Sequence, residues 1–246
     1  MVCVVGGPGA FVLSSLGSPQ AGSVVELEFA GTFVQLKFLN LAQTLSVETK
    51  IFLQSPPSPI SACCVYLSDL ASGLLCCGSA SELDVSLDEV QARLILKSSD
   101  RSEGGIQVQC DIRTLSLGRG SPTITLSPPA VVRMSLECEI FSIAISQCDV
   151  GGKKIHLLAQ AGDMARPAVR IQSEKGGVEA EAVVPYTVAT EMGGSGEDSG
   201  FWVSQKDATI LVCFLNTVGK CHLVFYAGGL EVRAGGSEAV FRCLGG

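Results

Sequence analysis

Positive charge is what this sequence has little of. Its 246 residues hold 17 Lys+Arg against 24 Asp+Glu, a formal net charge of −7, and charged side chains make up only 17%. A bulk basic footprint for nucleic acid is therefore excluded, and any hold on phosphate must come from where the few cations lie. Aromatic residues are sparse at 6%, with one tryptophan, and there are only two histidines. His156 and His222 fall within expected strands with no nearby carboxylate, so neither points to catalysis or a metal. Long apolar runs are missing as well. Residues 208–215, interrupted by Thr209, fall far short of the ~20 a membrane helix needs, so no membrane partner is expected. The apolar opening 1–5 lacks a basic leader and breaks at Gly6-Gly7-Pro8-Gly9, so it reads as a first strand and turn rather than a secretory signal.

Catalytic constellations are absent too. The Gly6–Gly9 turn lacks the Lys-Ser/Thr of a phosphate loop, and Ser14-Ser15 and Ser98-Ser99 have no ordered His and Asp. The 11 cysteines include no C-x-x-C and no zinc spacing, and their number is odd. Cys63-Cys64 and Cys76-Cys77 lie in apolar runs, where a thiol serves as a small hydrophobe, and this usage suits a reducing compartment. Cys76-Cys77 close an expected helix, where the dipole disfavours thiolate, so packing is their expected role. Glu197-Asp198 reads as a solvated loop. The chain is expected to be no enzyme, with no catalytic residue, no cofactor and no metal.

What the sequence does have is repetition. Apolar residues are 47% of it and mean hydropathy is +0.40, enough for a sizeable core. One plan recurs four times: an apolar strand, a short amphipathic stretch, then three amphipathic strands. The first copy reads as strand 2–5, helix 8–16, then strands 23–29, 33–39 and 45–53, with Ala30-Gly31-Thr32 as a hairpin turn and prolines 56, 57 and 59 as a break. The second has strand 63–67, helix 68–77, and strands 82–87, 92–97 and 106–112, with Gly104-Gly105 before the last. The third has strand 131–136, helix 137–148, and strands 154–159, 168–173 and 178–184, with Gly176-Gly177 as a break. The fourth is the weakest: strand 208–214, a cramped helix 215–220, then strands 221–226, 230–234 and 239–244, trimmed or divergent at its end. Gly73 would cost about 1 kcal/mol against alanine inside its helix. Residues 115–129, with Gly118, Gly120, Pro122, Pro128 and Pro129, read as a connector. Phe201-Trp202, after the polar segment 192–200, either caps the core or forms part of a protein-binding surface.

Four βαβββ units paired by a central connector resemble the eukaryotic DNA sliding-clamp family. Residues 65–78 (VYLSDLASGLLCCG) are similar to the second helix region of proliferating cell nuclear antigen, and Val131-Val132-Arg133-Met134 with Glu139-Ile140-Phe141 to the start of its second domain. Met1–Gly7, Thr190-Glu191-Met192 and residues 209–215 most resemble the tail-bearing subunit of the heterotrimeric DNA-damage checkpoint clamp. The resemblance implies an α+β, two-domain clamp fold, with short helices on one face of antiparallel sheets. Domains would span 1–114 and 131–246, joined by 115–130. It implies a nuclear, non-enzymatic ring subunit that encircles duplex DNA and recruits checkpoint and repair factors. Its partners would be other clamp subunits, in a hetero-oligomer, together with a clamp loader and repair enzymes. Subunits would join edge to edge through 106–115 (Ile106, Val108, Cys110, Ile112) and 168–174 (Val169, Ile171). Ile124 and Leu126 of the connector would receive a partner peptide by β-augmentation, unless the connector docks on its own domain.

One departure matters. A clamp holds duplex through Lys and Arg on its helices, yet 8–16 carries no charge, 68–77 only Asp69, and 137–148 only Glu137 and Glu139. Arg133, Lys153, Lys154, Lys206 and Lys220 flank helices and are the candidate DNA-facing cations. So thin a lining favours a heterotrimer whose partners supply charge over a replicative homotrimer. A β-rich adaptor without DNA binding is the remaining reading. The absent phosphorylatable tail argues against tail-borne signalling. Cations gathered on one concave face would favour the clamp, and scattered ones the adaptor.

Overall fold

The computed structural model describes residues 2–6, 23–52, 61–77, 82–98, 107–116, 124–126, 130–149, 151–160, 168–186, 188–189, 199–216, 220–234 and 239–245. The expected helix 8–16, the proline break at 56–59, the Gly104-Gly105 turn, Ile106 and the acidic pair Glu197-Asp198 lie outside them. Two compact units divide the chain: Met1–Leu41 with Val47–Thr123, and Ala42–Ser46 with Ile124–Gly246.

In the first unit, strict alternation builds the strands. β2 (Val24–Ala30) and β3 (Phe33–Leu39) bury Val25, Leu27, Phe29, Val34, Leu36 and Phe38 on one face. Gly31, at φ +53°, turns the chain between them, as its sequence predicts. The other elements are β1 (Val2–Gly6), β4 (Leu45–Phe52), β5 (Ser61–Tyr66), helix α1 (Leu67–Cys77), β6 (Glu82–Asp88), β7 (Arg93–Ser98) and β8 (Val108–Arg113). Their sheet orders are β4-β3-β2-β5 and β1-β6-β7-β8. Each repeat therefore gives its first strand to the other's sheet: β1 pairs with β6, and β5 with β2. A single βαβββ copy is not a folding unit. Gly73 also finds its reason here. A Cβ at Gly73 would meet Ile112 Cδ1 at 2.9 Å and Leu96 Cδ1 at 3.1 Å, so glycine lets α1 lie close on β7 and β8.

The second unit repeats the exchange. It comprises β9 (Ala130–Glu137), α2 (Cys138–Cys148), β10 (Lys154–Gln160), β11 (Ala168–Lys175), β12 (Val178–Pro185), β13 (Val188–Ala189), β14 (Ser199–Ser204), α3 (Gln205–Leu215), β15 (Lys220–Tyr226), β16 (Gly229–Ala234) and β17 (Ala239–Leu244). The orders are β12-β11-β10-β14 and β13-β9-β15-β16-β17, with β14 pairing β10 and β9 pairing β15. Gly176 and Gly177, at φ +59° and +82°, close the β11–β12 hairpin, the two left-handed residues that a type I′ turn needs. Phe201 of one sheet meets Phe225 of the other at 6.0 Å between ring centroids, inside a core that includes Phe141, Met134 and Phe241.

The fourth repeat corrects its sequence reading. The apolar run 208–215 is helix, not strand, and the first strand of that copy is β14. An apolar run of eight does not distinguish buried strand from buried helix. Ser204 decides it: its hydroxyl accepts from Asp207 N–H at 3.1 Å, an N-cap that starts α3.

The described cysteines are all free thiols. Cys63, Cys77, Cys138, Cys148, Cys221 and Cys243 are buried, whereas Cys76 is exposed on the last turn of α1. Burial, aided by neighbouring Cys64, pushes the Cys63 thiol from 9.0 up to about 12. Burial also raises Cys243, with Asp207 adding to the effect. A thiol held neutral in the fold but free to ionise when unfolded stabilises fully below pH 9.0, and that stability drains away as pH rises toward about 12. Cys63 alone accounts for on the order of 4 kcal/mol at the upper end. Thermal melts under reducing conditions should therefore show a midpoint falling steeply between pH 9 and 12, and Cys63→Ala should flatten that slope. An unchanged slope in the variant would contradict this account.

Candidate functional site

Sheet edges are the first candidate site. β8 ends one sheet of the first unit, and no described strand pairs with its outer side. Along it Val108 and Cys110 are half-buried, while Ile112 is buried against α1. Its solvent face carries Gln109, Asp111 and Arg113, with Asp111 accepting from Arg93 at 3.3 Å and Gln109 at 2.8 Å. The second joining strand, expected at 168–174, needs correction. β11 is hydrogen-bonded on both sides, to β10 and β12, and Val169 and Ile171 are fully buried inward positions. The outer strands of that sheet are β12 and β14, of which β12 is the neighbour of β11. On β12 the exposed positions are Val178, Glu179, Glu181, Val183 and Pro185, with Glu181 ion-paired to Arg170 and accepting from Gln172 at 3.3 Å.

The helix surfaces are the second candidate. On α1, Asp69, Ser72, Leu75 and Cys76 are exposed; on α2, Glu139, Ile140, Ile143, Ser146 and Gln147; on α3, Lys206 and Thr209. Of these only Lys206 is cationic, so the described helices expose little positive charge. The other candidate cations do not join it. Lys220 pairs with Glu137 at 3.3 Å where β9 meets α2. Arg133 alternates with buried Val132 and Met134, and Lys154 is out of phase with buried Ile155. Both therefore project from the sheet faces opposite those packed by the helices. Lys153 is exposed in the turn before β10. Strand alternation, invisible to a count of flanking residues, scatters the set.

The connector differs from an exposed apolar pair. Ile124 is buried, its N–H donating to Ser46 Oγ at 3.4 Å, and Leu126 is half-buried with Cδ2 only 2.6 Å from where a Cβ on Gly229 would stand. Of the two readings, docking onto its own unit is the one these residues follow.

A third feature lies on the solvent face of the β12-β11-β10-β14 sheet. Trp202 alternates with buried Phe201 and Val203 and is 42% exposed. Phe201 thus joins the core, and Trp202 lies at the surface. Across the pair of strands, His156 stacks on the indole with centroids 4.7 Å apart and planes 27° from parallel. Gly200 makes room, since a Cβ there would stand 2.9 Å from His156 Nε2. Beside the rings runs an open groove of about 700 Å³ lined by Gly151, Gly152, Lys153, Lys154, Glu174, Lys175 and Trp202. Its floor is fixed: Asp149 Oδ1 accepts from Gly151 N–H at 2.9 Å and from Gln205 Nε2 at 3.1 Å. Gly151 has φ +73°, and a Cβ there would fall 2.9 Å from Lys175 Nζ, so the ammonium lies across the turn. Sequence spacing could not bring Lys175 to Lys153; only the β10–β11 register does. The other histidine, His222, holds Ser135 Oγ at 2.6 Å in an exposed cross-strand pair. Among the described residues no group of three or more His, Cys, Asp or Glu is placed to hold a metal, and no helix is long and apolar enough to cross a membrane.

No protein-family model matches the sequence and no curated protein sequence is similar to it. Solved structures are. The chain superposes along 100% of its length on 99% of a chain in the PCNA2–PCNA3 complex of Sulfolobus tokodaii, with a TM-score of 0.75 and 12% identity. It superposes equally completely on PCNA of Thermococcus kodakaraensis, with a TM-score of 0.74 and 10% identity. The fold is that of the PCNA sliding clamps: two domains of antiparallel sheets with short helices.

Proposed function

We propose that this chain is a non-enzymatic subunit of a ring-shaped clamp that encircles duplex DNA. The observation that carries the reading is the two-domain clamp fold over the whole length, at full coverage of both chains. A sheet that ends in an unpaired strand invites another chain, so β8 and β12 are the edges through which subunits would join. Val108 and Cys110 would lie at one junction; on the other side β12 takes the place first given to β11.

A hetero-oligomer suits the chain better than a homotrimer, for one reason. Among the exposed residues of the described helices only Lys206 is cationic, so other subunits would supply most of the phosphate contacts. One of the structural relatives is itself a complex of two distinct PCNA chains. In the finer form of this proposal the chain is the checkpoint-type subunit, acts in the nucleus, is placed on DNA by a loader and recruits repair enzymes.

Native mass spectrometry tests this. The chain alone should be monomeric, and co-expression with the other clamp-fold chains of its source should give a 1:1:1 ring. A stable homotrimer would move the reading to a replicative clamp. A monomer indifferent to every clamp chain would replace it with a β-rich adaptor, the reading that the scattered cations favour.

A further inference from the structure

The groove beside Trp202 belongs neither to the subunit edges nor to the helix surfaces. Its lining brings together two features that recur where proteins hold single-stranded nucleic acid: a flat exposed ring and ammonium groups along one side. Lys153, Lys154 and Lys175 against Glu174 in the lining and Asp149 beneath the turn leave an excess of one positive charge, three minus two. In a chain of net charge −7, that is a local reversal of sign. The indole is braced from behind by His156, and the turn beneath is tied by Asp149 to Gln205, so the platform is built before any ligand arrives.

We propose that this groove binds a short stretch of single-stranded nucleic acid, one base stacking on Trp202 and the flanking phosphates lying against Lys153, Lys154 and Lys175. An acidic peptide would match the charge but has no repeating flat ring to place on the indole, so nucleic acid uses more of the site. Glu174 at the rim is the one side chain of the lining able to accept from a base's exocyclic amine, which favours cytosine or adenine over thymine there. The site lies wholly within the second unit and does not depend on ring formation, so its test stands apart from that of the clamp reading.

Trp202 is the only tryptophan, which makes intrinsic fluorescence a reporter of this site alone. Unlabelled single-stranded deoxyoligonucleotide titrated into the full chain should quench it saturably. Affinity should fall about tenfold or more between about 50 mM and about 200 mM salt. Labelled-oligonucleotide anisotropy should show Trp202→Ala weakening binding about 5- to 150-fold. Lys153→Gln and Lys175→Gln should each lower the salt slope by roughly 0.7. All three side chains are at the surface, and circular dichroism identical to that of the parent chain shows that the variants fold. Absence of quenching, or Trp202→Ala binding as tightly as the parent, would overturn the proposal. Equal quenching by polyglutamate would overturn it in favour of an acidic-peptide site.

Discussion

Proline placed singly at Ala182 and at Val183 should split into two outcomes: one variant folds normally but no longer associates, and the other loosens its own sheet. Successive N–H groups along a strand point to opposite sides, so one of these neighbours donates to β11 and the other points away from the sheet. Proline removes the donor and pushes its ring into the space beyond. On the outward side that leaves the β11–β12 ladder whole while denying the edge to another chain. Edge pairing is all-or-none along so short a strand, so the expected loss of assembly is complete by native mass spectrometry, with circular dichroism unchanged. Two variants that both still assemble would remove β12 from the interface. Two that both misfold would show that β12 has no free side.

Truncating Phe225 to alanine should cost about 3–5 kcal/mol. The side chain is 0% exposed in β15, and its ring meets Phe201 of β14, the strand lent to the opposite sheet. The contact therefore joins the two sheets of the second unit at the point where the strand exchange closes its core. In a protein of this size each kcal/mol lowers the melting midpoint by roughly 2–4 °C, so the expected fall is roughly 6–20 °C. Val232→Ala, an equally buried residue with fewer carbons to lose, should fall less. A Phe225→Ala midpoint within about 2 °C of the parent would mean that the two sheets do not share one core.

How much of this was legible follows from what each signal depends on. Alternation fixed β3 at residues 33–39 and came within one or two residues for most other strands, because a half-buried strand writes its period directly. Gly31 and the Gly176-Gly177 pair marked their turns, since positive φ is what glycine supplies. Helices α1 and α2 start and stop within a residue of their sequence limits, each bounded by a strand and a change of period. Residues 208–215 were not legible as helix because an apolar run reads alike in both states, and only the Ser204–Asp207 cap resolves it. Strand exchange was not legible: nothing local in Val2–Gly6 says that it pairs with β6 rather than with its own repeat. That β11 lies inside its sheet was not legible for the same reason: which strand ends a sheet is a property of the whole sheet. Trp202 stands out in the sequence and its partners do not. His156, Lys153 and Lys175 reach it only through strand register.

A chain that closes, with partners, into a ring around duplex DNA is held there by a topological link. The most direct measurement loads the assembled complex onto nicked circular plasmid and onto the same plasmid linearised, then follows retention by gel filtration in high salt. Salt strips phosphate contacts but not a topological link. A ring should be retained on the circle and lost from the linear form, with retention restored when the ends are blocked by bound protein. Equal loss from both, by a complex whose subunits stay together, would contradict it.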